Sequence, residues 1–389
     1  MKNITGPPVI GNDFFGREDE FEYVWQGILN GNNFIFPSPR RVGKTSFAFK
    51  LINKAKEEGW NTIDLNLEEL LNNEIDFLEA FIKKLQNLSW WKQVKKMGNG
   101  LLELVSQLKP SMEFEGVEAK IEWERKKENI YAQVADLLYH EADTLIFFDE
   151  LTILLNKIIK SDEAGIEKVK NFLHWLRALR QRKGTKIRWI FCSSVGIENF
   201  THQHGISDSI NDILDFNLHS FTIDKSKEML IKLGEDNKLI LSEDVVNAIV
   251  LKLEYCLPFF LQIIFEKIRF LNAIEEQTMD VDIVINAYNV LVEDKHFNTW
   301  IERIKEQYVE NETYAFAILK QLCQQPSGMK RDSFVNSMVA AGLPFEKIEE
   351  ETSLLIYMLK NDGYIMEENS VYRFRSPLLR DFWYNRFVK

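Results

Sequence analysis

The chain has 389 residues, 45% of them hydrophobic and 28% charged, the balance of a globular protein of two or three domains. No apolar run approaches the roughly 20 residues that cross a bilayer, and the opening Met1-Lys2-Asn3-Ile4-Thr5-Gly6-Pro7-Pro8 lacks the apolar stretch of a secretion signal. A formal net charge of −11 makes nucleic acid an unfavourable default partner, and the scattered Cys192, Cys256 and Cys323 fit reduced thiols in a cytoplasm rather than a disulfide framework.

Residues 1–225 alternate short apolar runs with amphipathic stretches. This predicts an α/β fold, a parallel sheet with helices on both faces. Strands are expected over residues 33–37, 62–65, 145–148 and 187–192, with a fifth over 216–221. The first strand runs into Ser38-Pro39-Arg40-Arg41-Val42-Gly43-Lys44-Thr45 and then a helix with Phe47, Leu51 and Ile52 on one face. Strand, loop and helix in that order are the context of a phosphate loop. Its backbone N–H groups and the helix N-terminus offer positive potential to a polyphosphate. Gly43 allows close backbone approach, Lys44 reaches the β- and γ-phosphates, and the Thr45 hydroxyl joins a magnesium shell. Ser38 stands where such loops usually have glycine.

A helical stretch follows with Trp90, Trp91, Val94, Leu101, Leu102, Val105 and Leu108. Alternation over 112–114 and 117–123 around Glu115-Gly116 then predicts a hairpin. These apolar residues read as core or lid packing, with a docking face as the alternative. The run Leu145-Ile146-Phe147-Phe148 closes on Asp149 and Glu150. Asp149 at the end of a buried parallel strand suits the outer shell of magnesium, and Glu150 suits polarisation of an attacking water. The alternative for both is a helix cap. Arg177 and Arg180, on a helix over 172–182, and Arg188 at the start of the fourth strand are candidates for an arginine supplied to a neighbouring subunit's nucleotide, against the commoner role of a surface arginine. His202-Gln203-His204 has no third ligand nearby and reads as a polar loop, not a metal site.

Residues 226–300 read as entirely helical, with helices over 225–233, 245–253 and 259–271. The remainder reads as helices, then strands over 364–366 and 371–374 joined by Glu367-Glu368-Asn369-Ser370. Arg373, Arg375, Arg380, Arg386 and Lys389 are interleaved with Tyr372, Phe374, Phe382, Trp383 and Tyr384. That mixture fits either a DNA-contacting wing or, preferred here, a protein-docking or autoinhibitory surface. Glu349, Glu350, Glu351, Glu367 and Glu368 bring the region near neutrality.

In this order the motifs resemble the STAND and replication-initiator-like branch of the AAA+ P-loop ATPases of archaea and bacteria. Phe14-Phe15-Gly16-Arg17-Glu18-Asp19-Glu20 looks like that family's Gly-Arg-Glu box, which implies base-side contacts from Phe15, Gly16 and Arg17. Ser38-Pro39-Arg40-Arg41-Val42-Gly43-Lys44-Thr45-Ser46 is similar to its Pro-Arg-Arg-x-Gly-Lys-Thr-Ser loop, which brings Ser46 into the site. Phe191-Cys192-Ser193-Ser194-Val195-Gly196-Ile197-Glu198-Asn199 looks like its sensor-one strand, with Ser194 at the sensing position. Pro258 matches the lid's Gly-x-Pro, with Cys256 in place of glycine. The resemblance implies an ATPase core over 1–225, a helical lid over 226–300 and a winged-helix domain over 301–389. It implies ATP and Mg2+ as cofactors, slow hydrolysis, and a switch acting on a protein partner encoded nearby, in prokaryotic regulation or antiviral defence. A homo-oligomer is compatible with it, and nucleic acid is not favoured. The alternatives are a DNA-loading or transposition-helper ATPase and a non-hydrolysing scaffold stabilised by nucleotide.

Overall fold

Five runs of chain assemble into one parallel sheet in the computed structural model, which describes residues 1–68, 73–88, 117–138, 142–161, 163–193, 197, 200–201, 204–308 and 311–389. The chain divides into two units. One comprises Arg17–Pro37 and Phe47–Asn217; the other comprises Met1–Gly16, Ser38–Ser46 and Leu218–Lys389.

The first unit carries the sheet: β1 (Phe34–Phe36), β2 (Asn61–Asn66), β3 (Thr144–Asp149), β4 (Ile187–Cys192) and β5 (Leu214–Asp215), in the order β2-β3-β4-β1-β5. Its helices are α1 (Glu18–Leu29), α2 (Lys44–Glu57, whose first turn belongs to the loop), α3 (Glu74–Leu85), α4 (Val117–Leu138), α5 (Leu151–Ser161) and α6 (Gly165–Gln181). A parallel sheet covered on both faces buries successive residues of a strand, so its strands read as continuous apolar runs. On one face Ile35, Ile63, Ile146, Phe148, Trp189 and Phe191 join Phe77, Phe81 and Phe172 of the helices. Phe148 sits at the centre, with ring centroids 5.4 Å from Trp189 and 5.5 Å from Phe77. On the other face Phe36 meets Phe47 edge-on at 5.5 Å, and Phe147 meets Phe49 at 5.9 Å.

Two expectations for this unit need correction. Residues 117–123 belong to α4 rather than to a hairpin strand. They are rich in Glu, Lys and Ala, and the charged run Glu124-Arg125-Lys126-Lys127 continues them, so helix propensity summed over the segment outweighs the local alternation. Residues 112–114, and the apolar stretch from Trp90 to Leu108, lie outside the described residues. The fifth strand is Leu214–Asp215, not 216–221. The Phe216 amide still donates to Ile35 O at 2.9 Å, after which the chain leaves the sheet. An exposed edge strand has no buried run to betray it.

The second unit contains α7 (Ile223–Asp236), α8 (Glu243–Leu253), α9 (Pro258–Ala273), α10 (Val281–Val292), α11 (Asn298–Gln307), α12 (Glu312–Leu322), α13 (Arg331–Ala340), α14 (Ile348–Asn361), the antiparallel hairpin β6 (Ile365–Glu368) and β7 (Val371–Phe374), and α15 (Pro377–Phe387). Thr222, Ser242, Asp280 and Ser376 each cap a helix by accepting backbone N–H groups of its first turn. The hairpin turn is two residues long: Asn369 and Ser370 both have positive φ, as a turn matched to the strand twist requires, so Glu367 and Glu368 lie in β6 and not in the turn. Residues 1–16 belong here too, since the Asn3 amide donates to Gln262 O and Glu266, both at 3.1 Å.

The C-terminal aromatics are core, which corrects the docking surface expected of them. Trp383 is fully buried, with Phe316, Tyr364, Phe374, Phe382 and Phe387 around it at 5.3–6.3 Å. Of the five aromatics interleaved with arginine, Tyr384 alone is exposed. Among the described residues no helix is long and apolar enough to cross a membrane.

Candidate nucleotide site

The loop after β1 shows why serine opens it. Ser38 is buried and its hydroxyl accepts the Leu218 amide at 2.6 Å. Ser38 is not among the residues of positive φ; that conformation falls to Arg41 (φ 66°) and Gly43 (φ 98°). Serine's limited access to left-handed backbone therefore costs nothing here. A Cβ built on Gly43 meets nothing within 4 Å, so glycine is demanded by the backbone angle while the space beside it stays open.

Lys44, the first residue of α2, is buried. Its ammonium donates back to Pro39 O at 3.1 Å and to Ser38 O, so the loop's own carbonyls hold the charge. Val42 is buried and Thr45 half-buried; the Ser46 hydroxyl accepts the Val9 amide at 2.9 Å. Arg41 lies over the Phe259 ring, 4.1 Å from its centroid, one residue after Pro258 at the start of α9. Burial, and then the nearby charge of Arg303, pull its guanidinium below the ordinary value. Pro39 lies against Gly363, just before β6: a Cβ on Gly363 would come within 2.6 Å of the Pro39 Cβ. Arg40 is near enough to Tyr364 to act on its phenol electrostatically. Phe259, Arg303 and Gly363 are loop neighbours that nothing in the sequence marks, because they follow from tertiary placement alone.

Phe15 and Gly16 belong to a cluster in the same unit. Phe15 meets Phe221 edge-on at 6.0 Å and Lys225 Nζ is 5.2 Å from the Phe15 centroid. Gly16 is buried next to Phe221 and Lys225. Arg17, in the sheet unit, is buried in left-handed backbone and pairs with Glu20 at 2.9 Å. Pro258 is the first residue of α9, where its missing N–H costs nothing. Cys256 precedes it without positive φ, so the residue replacing glycine is not strained.

In the sheet unit, Asp149 ends β3 and Glu150 follows at φ 56°. Left-handed backbone at a non-glycine residue costs about 1–3 kcal/mol and gathers at functional sites. The Glu150 carbonyl accepts the Ile153 amide at 3.0 Å, which carries the chain into α5. The strands are parallel, so β1 and β3 end on the same edge of the sheet, and the loop leaves from that edge of β1. Each taken in its own unit, Thr45 and Asp149 are hard oxygen donors of the type magnesium takes. Among the described residues no group of three or more His, Cys, Asp or Glu side chains is gathered as a metal site.

The three candidate arginines part company. Arg180 is buried and donates twice to Asp212, at 2.8 and 2.9 Å, and once to Ser209 O at 2.8 Å. That anchorage makes it a residue of the fold. Arg188 sits at the start of β4, the opposite edge of the sheet, and donates to the carbonyls of Ile28, Thr185 and Ile187. Arg177 is half-buried and lies 3.6 Å from Asp208, a carboxylate that is also 3.4 Å from His174. Ser194 and His202 lie outside the described residues.

No protein-family profile matches the chain, and no curated protein matches it in sequence. By structure it is similar to the Walker-type ATPase PABY2304 of Pyrococcus abyssi, at 16% identity and a TM-score of 0.64, over 98% of this chain and 99% of that one. It is also similar to the ORC2 protein of Aeropyrum pernix, at 13% identity and a TM-score of 0.54, over 99% and 98%. These likenesses establish the fold: a P-loop NTPase fold with a helical C-terminal region.

Proposed function

We propose that this chain is a magnesium-dependent ATP-binding and hydrolysing switch of the AAA+ kind, in its STAND and replication-initiator-like branch, acting on a protein partner in a prokaryotic cytoplasm. The observation that carries this reading is the β1–loop–α2 unit, with a buried lysine parked on its own loop carbonyls and left-handed backbone at Arg41 and Gly43. On binding, Lys44 would exchange those carbonyls for phosphate oxygens, the backbone N–H groups of residues 42–46 would cradle the polyphosphate, and Thr45 and Asp149 are the residues that would hold magnesium. Bound magnesium supplies charge neutralisation at the phosphates. Glu150 accepts the proton of the attacking water.

The division expected from sequence, a core over 1–225, a lid over 226–300 and a winged helix over 301–389, gives the switch its parts. The helices α12 to α14 followed by the β6–β7 hairpin have the order of a winged helix. Nucleotide favours one placement of these parts only by its differential affinity for the alternatives. A duplex-loading role has less support, because Arg373 pairs with Glu254 and Glu368, Arg380 pairs with Asp381, and Arg375 donates to Lys360 O. A homo-oligomer would draw its arginine from Arg177 rather than from the anchored Arg180. The partner is expected to be encoded nearby, in regulation or antiviral defence.

The test is thermal melting with and without magnesium-ATP, together with phosphate release. At about 100 times the dissociation constant, nucleotide stabilises by roughly 2.7 kcal/mol, several degrees of melting temperature. Lys44→Ala should lose that shift, and Glu150→Gln should keep it while turning over slowly. No shift in the unaltered chain overturns the reading. A shift without phosphate release leaves the nucleotide-stabilised scaffold.

A further inference from the structure

Where β3 and β4 stop pairing, two hydroxyls meet. The ladder between these strands ends at Phe148↔Phe191. Beyond it the β3 chain turns through Asp149 and left-handed Glu150 into α5, and the β4 chain runs on to Cys192 and Ser193. Thr152, in the first turn of α5, and Ser193 are hydrogen-bonded hydroxyl to hydroxyl at 2.5 Å, with 0% and 1% of their surfaces exposed. Two apolar side chains of the same shape would fill this space without the desolvation that hydroxyls cost. The bond instead continues the tie between the strands one step past the ladder, across the backbone turn that carries the two carboxylates.

We propose that Thr152 and Ser193 form a positioning pair that holds the Asp149-Glu150 turn in its catalytic shape; the inference rests on the ATPase reading above. Left-handed backbone at a glutamate persists only where the surroundings determine it. The Thr152 hydroxyl, two residues on, anchors that turn to a central strand. Released from Ser193, the turn relaxes towards ordinary backbone and the Glu150 carboxylate moves from the water it activates. A base must lie within hydrogen-bond reach of the proton it takes, and small misplacements cost rate steeply. The phosphate loop is untouched, so nucleotide affinity stays and turnover falls.

The experiment compares full-length wild type with Thr152→Val, Thr152→Ser, Ser193→Ala and the Thr152→Val/Ser193→Ala double variant. It reads kcat, KM for magnesium-ATP, and the melting shift that magnesium-ATP causes. Thr152→Val and Ser193→Ala should each lower kcat by roughly ten-fold with KM within about two-fold of wild type. Thr152→Ser should keep kcat near wild type, and the double variant should be no slower than the singles. A packing role predicts the reverse order, because valine keeps the volume of threonine and serine loses a methyl. Unchanged kcat in Thr152→Val overturns the proposal, as does a variant series in which activity follows melting temperature alone. A wild type that gives neither a melting shift nor phosphate release overturns the ATPase reading itself, and the positioning role with it.

Discussion

Replacing Ser38 by the glycine usual at that place should make the protein less stable. The Ser38 hydroxyl is the acceptor of the Leu218 amide at 2.6 Å, and both residues are 1% exposed. Losing the acceptor strands a buried N–H, at about 1–3 kcal/mol. Glycine adds about 0.5–1 kcal/mol by widening the unfolded ensemble at a position where the folded chain needs no positive φ. The sum, about 1.5–4 kcal/mol, corresponds to roughly 3–16 °C for a unit of ordinary size. Differential scanning fluorimetry on wild type, Ser38→Gly and Ser38→Ala measures it. Ser38→Ala loses the acceptor alone and should fall between the other two. Magnesium-ATP should still raise the melting temperature of Ser38→Gly, because the altered contact is internal to the fold. A Ser38→Gly protein melting within about 1 °C of wild type refutes the reasoning, since the amide then has another partner or water at no cost.

Arg180→Ala should destabilise by about 3 kcal/mol or more by leaving Asp212 without its bidentate partner, while Arg177→Ala should cost under about 1 kcal/mol; urea melts compare them. The Cys323 thiol is pushed up to about 11 by burial, so it stays protonated at pH 8. Alkylation of Cys323 at pH 8 should be slow in the folded protein, and fast in denaturant, where a thiol returns to about 8.5. Rapid native labelling would contradict that burial. Generic duplex should bind weakly or not at all at about 150 mM salt, read by anisotropy across a salt series, because Arg373, Arg375 and Arg380 are already engaged by carboxylates or a carbonyl.

The parts of the fold legible in the sequence are those where local pattern and burial agree. β3 and β4 are apolar runs in the middle of a sheet covered on both faces, and their bounds follow from the residues. Helix starts at Ser242 and Pro258 are marked by a capping hydroxyl and a first-position proline. Legibility fails where tertiary context decides. β5 pairs by backbone at an exposed edge with no apolar signature, and Val117-Glu118-Ala119-Lys120 alternates like a strand inside a helix. The C-terminal aromatics look like a surface because arginines separate them, yet the hairpin and α15 turn them inward around Trp383. At the candidate site, spacing alone nominates Lys44, Thr45, Asp149 and Glu150. The Ser38 cap on Leu218, and Ser193 against Thr152, join residues distant in sequence, and no local signal announces either.

Pro39 and Gly363 touch although they are far apart in the sequence, and the contact leaves no room for a methyl group. The two positions are therefore expected to be inherited together. A lineage that acquires a side chain at 363 must shrink or reshape the residue at 39, and a bulkier loop must keep glycine beneath it. Recombination that joins the loop of one relative to the C-terminal segment of another will be filtered at this contact, so chimeras with a breakpoint between these positions should survive only when both partners come from compatible parents.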